Sequence, residues 1–131
     1  MTVESTPTPH TIRMRIGDSW RDSDQHLEVR DPYRQQTLAH APVSTARDCE
    51  DALAAAHAAK AEMAALPGHE RARLLHAAAD NVANRAHAIA ETMTRETGKA
   101  LRDSRIEVQR AGELLHLCAE EAVRIQGEHI P

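Results

Sequence analysis

Residues 96–127 read ETGKALRDSRIEVQRAGELLHLCAEEAVRIQG, and the way this stretch folds decides the rest. Glu96, Thr97, Gly98 and Lys99 form a hinge, with Gly98 placed where a preceding helix ends in a left-handed residue. Beyond it Leu101, Ser104, Val108, Ala111, Leu115, Cys118, Ala122 and Ile125 recur at alternating spacings of three and four. Such spacing keeps one face toward a core over about seven turns, and only the polar Ser104 interrupts it. Leu114 and Leu117 widen the apolar side, while Gln109, Glu113, His116, Glu120 and Arg124 form a polar strip. The pattern predicts one helix over 99–126, about 42 Å from end to end. A strut of that length needs neighbours.

Working back toward the N-terminus, Ala86, Ile89, Ala90, Met93 and Thr97 keep helical phase and predict a helix over 86–97. Arg71, Leu74, Leu75, Ala78, Ala79 and Val82 do the same for 69–85. Pro67 and Gly68 stop the helix before it, predicted over 45–65, which opens on Thr45 and Asp48 at capping-box spacing. Its Cys49, Ala52, Leu53, Ala56, Ala59, Lys60 and Met63 share the face expected to point inward. Earlier still, Ile12, Met14 and Ile16 alternate with Arg13 and Arg15, a strand over 11–16 that turns at Gly17-Asp18 before Trp20. Leu27 and Val29 begin a returning strand that Asp31-Pro32 breaks, and 37–43 is a third extended piece. Residues 1–10, with two prolines and four Ser or Thr, read as a disordered tail. The fold class is therefore mainly α with a small N-terminal antiparallel β unit (11–43) ahead of helices over 45–126, in one domain.

Aromatic residues make up only 2% of the chain, so burial falls to Ala, Leu, Val and Ile, and Ala-faced helices leave a marginal core. A formal net charge of -4 with signs interspersed offers no field for phosphate backbones, which argues against nucleic acid. Two distant cysteines, Cys49 and Cys118, without a secretory pattern, fit reduced thiols in a cytoplasmic protein. No apolar run approaches membrane-spanning length.

Catalytic equipment is sparse. His69-Glu70 starts like a metalloprotease helix, but the second His would fall at position 73, which is Arg. The helical histidines His57, His69, His76, His87 and His116 give no pair at i, i+4 and are expected at edges or on the surface. Cys118 lies on the apolar stripe and reads as a small buried side chain, as does Cys49. There is no Gly-flanked nucleophilic Ser and no Gly-rich phosphate loop.

One resemblance links these pieces. Asp31-Pro32, Pro42-Val43, Asp48 and Ala55-Ala56 on an Ala-rich helix, Leu66-Pro67, Glu70-Arg71-Ala72, Leu74-Leu75, Ala78-Ala79-Asp80, Glu96-Thr97-Gly98-Lys99 and Glu107-Val108 come in a characteristic order. With Ala119, Ala122, Gly127 and Ile130-Pro131, they resemble the N-terminal segment of the NAD(P)-dependent aldehyde dehydrogenase superfamily over roughly residues 12 to 131.

The resemblance implies the N-terminal part of that α/β fold, within its coenzyme-binding domain. It implies an oxidoreductase using NAD or NADP, in which a Cys forms a thiohemiacetal, an Asn helps form the oxyanion hole and a Glu activates water. None of those catalytic motifs maps onto this chain, so no catalytic or cofactor-binding residue is assigned and no cofactor is expected for it alone. The resemblance places a structural cation at Glu107 and the Arg30 main chain, beside the plainer reading of Glu107 as a solvated residue paired with Arg110 or Arg102. Spacing alone gives Gly98 and Lys99 structural roles, a helix stop followed by a helix start. The expected partner is a second copy or the remainder of such an enzyme, met through some of Leu101, Val108, Leu115, Leu117, Leu74 and Val82. The alternative reading is a freestanding helical interaction module.

Overall fold

The computed structural model describes residues 9–127 and 130. The element order is β1 (His10–Thr11), β2 (Met14–Ile16), β3 (Ser19–Arg21), β4 (His26–Arg30), β5 (Thr37–Pro42), α1 (Ala46–Ala65), α2 (Gly68–Asn84), α3 (Ala86–Thr97) and α4 (Leu101–Arg124). The chain forms two compact units, Met1–Ala61 with Arg95–Gly98, and Glu62–Thr94 with Lys99–Pro131.

In the first unit the extended region splits. The alternation over 11–16 does not produce one strand: β1 pairs in parallel with β5, and β2 turns back on β3 as a separate hairpin. Gly17, at φ +54, takes the first turn position, where glycine suits a two-residue hairpin loop. The return of β2 is thus Ser19–Arg21, directly after the Gly17-Asp18 turn, and not the strand at Leu27 and Val29 that the sequence suggests, while β4 pairs antiparallel with β5 with an irregularity between Val29 and Arg30. β1 starts at His10, the last residue of the stretch read as a tail, and residues 1–8 of that stretch lie outside the described residues.

α1 starts where its capping box predicts. The Thr45 N–H donates to Asp48 Oδ2 at 2.9 Å and the Asp48 N–H to Thr45 Oγ1 at 3.2 Å, which satisfies donors that a helix N-terminus leaves open. The covered edge of α1 is not the expected one. Asp48, Asp51 and Ala55 are half-buried, whereas Cys49, Ala52, Leu53, Ala56, Ala59, Lys60 and Met63 are exposed, Leu53 at 71%. Arg21 of β3 sets this orientation by donating to Asp51 Oδ2 at 2.6 Å and to Asp48 Oδ1 at 3.4 Å. A charge clamp, and not the apolar phase, turns the helix.

The second unit is built on α2 and α4. Ala72, Ala119 and Ala122 form its buried cluster with Leu75 packed against them, and Ala79, Ala90 and Val108 are also buried. Small side chains let helix backbones approach closely. A Cβ on Gly68 would lie 2.8 Å from the Ala122 carbonyl oxygen and 3.3 Å from Val123 Cα, so the first residue of α2 sits directly on the α4 backbone. Between α2 and α3 there is only a bend at Arg85, whose N–H still reaches the Asn81 and Val82 carbonyls.

On α4 the buried positions are Ser104, Val108, Ala119 and Ala122, with Leu101, Gly112 and Leu115 half-buried. Ala111 and Cys118, both expected on the stripe, are exposed. A strict alternation of three and four repeats every 3.5 residues, and a straight helix drifts by about 20° per heptad against it. By mid-helix the covered face has moved to Gly112 and Ala119, one residue on. Of the side chains expected to be left uncovered, Leu74 and Leu117 are exposed, and Val108 is buried.

Candidate functional site

Gly98 and Lys99, both singled out in the sequence, follow the end of α3. Thr97 closes that helix, and Gly98 follows at φ +75, a left-handed conformation that costs side-chain-bearing residues energy. A Cβ on Gly98 would also come within 2.9 Å of Pro32 Cγ. Two motifs 66 residues apart in sequence therefore meet in the first unit, with Pro32 lying over Gly98.

Asp31 holds Pro32 in place. Its side chain is almost fully buried, and its Oδ1 accepts the N–H groups of Tyr33 and Arg34 at 2.8 and 2.9 Å. Oδ2 meets the Arg34 guanidinium at 3.3 Å, and the Asp31 carbonyl accepts the Gln35 N–H at 2.8 Å. Gln35 itself is left-handed at φ +59. The Arg34 N–H, ahead of the other donors, holds the Asp31 carboxyl below its ordinary value of 3.8 against the opposing effect of burial. Arg30, the last residue of β4, pairs across the sheet with Thr37 and donates its guanidinium to the Gln35 carbonyl at 2.9 Å. The Asp31-Pro32 signal is thus a turn built around one buried carboxylate.

In the second unit Lys99 forms an ion pair with Glu107, across the first turns of α4. Neither Arg102 nor Arg110, the partners that spacing along the helix suggests, is the one chosen. Ser104 is fully buried, and its hydroxyl lies 2.9 Å from Thr94 Oγ1. Among the described residues no group of three or more His, Cys, Asp or Glu side chains is placed to hold a metal ion. Both cysteines are exposed, a correction to the reading of Cys118 and Cys49 as buried, and it follows from the rotated faces of α4 and α1. A groove of about 560 Å³ in the same unit is lined by Ala79, Val82, Val108, Gly112 and His116 among others.

The arrangement is one of helix caps, turns and close-packed small residues. It positions backbone and places few reactive groups together. The model of the aldehyde dehydrogenase family matches residues 20–131, and this chain belongs to that family. It is 37% identical over 116 residues to the 3-sulfolactaldehyde dehydrogenase of Priestia aryabhattai, across 88% of this chain and 24% of that one. It is 31% identical over 118 residues to the mitochondrial succinate-semialdehyde dehydrogenase of Oryza sativa subsp. japonica, across 88% and 22%.

Solved structures agree. Aldehyde dehydrogenase 21 from Physcomitrella patens, in complex with the reaction product succinate, superposes with a TM-score of 0.90 at 38% identity, over 95% of this chain and 26% of that one. Lactaldehyde dehydrogenase from Escherichia coli gives 0.89 at 28% identity, over 95% and 26%. The chain spans about a quarter of the length of the relatives it matches. The resemblance to the N-terminal segment of the superfamily therefore rests on both sequence and fold.

Proposed function

We propose that this chain acts as the N-terminal scaffold of an NAD(P)-dependent aldehyde dehydrogenase and neither oxidises aldehydes nor binds NAD(P) with useful affinity by itself. The observation behind the proposal is the set of apolar side chains left in solvent: Leu53 and Met63 on α1, and Ile106, Leu114, Leu117 and Val123 on α4. Residues of this kind gathered on helices call for a covering surface. The remainder of such an enzyme would supply it, and in its absence a second copy would. Covalent catalysis needs a thiolate beside oxyanion donors, and the exposed Cys49 and Cys118 lie on open helix surface.

The cation that the resemblance places at Glu107 and Arg30 belongs to the same proposal. Lys99 holds the Glu107 carboxylate, so a cation there would have to displace an ammonium group. No helix among the described residues is long and apolar enough to cross a membrane, and the proposed setting is the cytoplasm, without a nucleic-acid partner. The reading as a freestanding interaction module rests on the same exposed side chains.

A graft separates the two. The segment replaces the matching region of the Priestia aryabhattai 3-sulfolactaldehyde dehydrogenase, and NADH formation is measured for the graft and for the chain alone. A soluble, active graft with an inactive isolated chain is the expected result. Turnover by the chain alone that Cys118→Ser abolishes, micromolar NAD binding to it, or a graft that folds without activity would overturn the proposal.

A further inference from the structure

His76 and His116 lie 40 residues apart and on different helices, yet their Nδ1 atoms are 3.0 Å apart. Their rings are tilted by 44° with centroids at 5.2 Å. Sequence spacing did not reveal the pair because it forms across α2 and α4 and not along one helix. Glu120, one turn beyond His116, places Oε1 3.4 Å from His76 Nε2. A carboxylate can only accept, so in the neutral ring it favours the tautomer with the hydrogen on Nε2 of His76 and the lone pair on its Nδ1. His116 Nδ1 is then the donor between the rings. A carboxylate that fixes the far nitrogen of an imidazole and leaves the near one as a lone-pair donor is the arrangement found behind metal-ligating histidines.

We propose that His76 and His116 form a two-imidazole site for a divalent late transition-metal ion, with Glu120 as the positioning carboxylate. Metal–nitrogen bonds of about 2.0 to 2.1 Å and a 3.0 Å nitrogen separation close an angle of roughly 95° at the ion. That angle matches neighbouring positions of the tetragonal geometry taken by Cu2+ and Ni2+, whereas tetrahedral Zn2+ wants the nitrogens about 3.3 Å apart. The ion sits off the line between the nitrogens, and each ring turns to meet it. His76 retains 41% side-chain exposure and His116 is exposed, which leaves room for that turn. His116 moves its hydrogen from Nδ1 to Nε2 through water, which frees its Nδ1 lone pair for the ion. With no third protein ligand in place among the described residues, water completes the coordination. The ion ties α2 to α4.

The whole chain, without an affinity tag, is titrated with NiCl2, CuCl2 and ZnCl2 by calorimetry, and its melting temperature is followed with each. One Ni2+ or Cu2+ per chain is expected, bound more tightly than the ordinary order of affinities would place them above Zn2+, with a rise in melting temperature by mass action. His76→Ala and His116→Ala should each abolish that binding and the thermal shift, while His57→Ala on α1 changes neither. Glu120→Gln should weaken binding toward the low end of the roughly 10- to 100-fold range for loss of such a partner. Circular dichroism of the exposed-site variants confirms that they are folded. Stoichiometric binding that survives in the H76A/H116A double variant, or no binding below about millimolar metal, overturns the proposal.

Discussion

The Ser104 hydroxyl, fully buried near the start of α4, lies 2.9 Å from Thr94 Oγ1 on α3. By spacing alone Ser104 is a flaw in an apolar stripe. In the structure it is a tie between two consecutive helices on either side of the hinge. Ser104→Ala should cost about 1 kcal/mol, because Thr94 loses its partner while no volume is added. Thr94→Val together with Ser104→Ala should cost less than the sum of the two single changes. Denaturant melts of the four proteins give the coupling, and strict additivity would deny the tie.

Gly98 and Gly68 are needed for different reasons, and alanine separates them. At Gly98 the positive φ and the Pro32 ring 2.9 Å from the new Cβ act together, so Gly98→Ala should cost on the order of 1 kcal/mol or more. Pro32→Ala should recover part of that loss by removing the ring. At Gly68 the new Cβ meets backbone, the Ala122 carbonyl at 2.8 Å, and α2 must shift from α4. That change should cost roughly 1 to 3 kcal/mol, with no rescue from Pro32→Ala. A rescue of Gly68→Ala by Pro32→Ala, or none at Gly98, would contradict the two assignments.

The helices were legible because each has a local signal: Thr45 and Asp48 at a cap, Pro67 between α1 and α2, Gly98 after α3. Faces were less so. Ala111 and Cys118 fit a 3.5-residue repeat that a straight helix does not keep. α1 turns on Arg21 and two aspartates, a contact about thirty residues long in sequence that periodicity does not register. The short strands failed for a similar reason, since alternation over 11–16 fits one strand or two, and only the parallel seat of β1 on β5 decides. At the candidate site, Gly98 could be read from helix-stop chemistry, whereas its contact with Pro32 and the pairing of Lys99 with Glu107 could not.

Acid should loosen the first unit. Asp31 and Asp48 both sit below their ordinary value of 3.8, Asp31 mainly through the Arg34 N–H and Asp48 mainly through the Thr45 hydroxyl. A carboxyl lowered in the folded state stabilises it fully above the unfolded value, and loses that stabilisation as pH falls through the folded one. Stability should therefore be flat from neutral pH to about 5 and fall below the ordinary 3.8. Asp31→Asn should flatten that acid limb more than Asp48→Asn, because its carboxylate is buried. Melting temperature against pH for the three proteins checks this, and identical acid limbs would refute it.

The exposed thiols make a direct chemical prediction. Cys49 and Cys118 are both exposed in the folded chain, so a disulfide reagent such as Ellman's should titrate two thiols per chain without denaturant. Cys118→Ser and Cys49→Ser should each remove one and leave the melting temperature nearly unchanged, as surface substitutions do. A thiol that reacts only after unfolding would put that residue back in the core, where the unrotated stripe would have it.

On α4, Leu114 and Leu117 lie one turn apart, each 59% exposed, and Ile106 precedes them by two turns at 45%. Leu114 and Leu117 form a short apolar ridge, and all three lie on the side of the helix away from Val108 and Ala119, which are buried. Scattered apolar residues on a surface need no partner, but a contiguous ridge does. The isolated chain should therefore associate in a concentration-dependent way. Leu114→Glu with Leu117→Glu should shift sedimentation toward monomer and leave the unfolding free energy of the dilute protein within about 0.5 kcal/mol of the parent, since neither side chain supports the α2–α4 core. In the grafted enzyme the same pair should reduce soluble, active protein, because the proposed scaffold role has the rest of the subunit cover the ridge there. Full activity of that doubly substituted graft, beside a parent chain that stays monomeric at high concentration, would mean that the ridge faces solvent in both settings and has no covering partner.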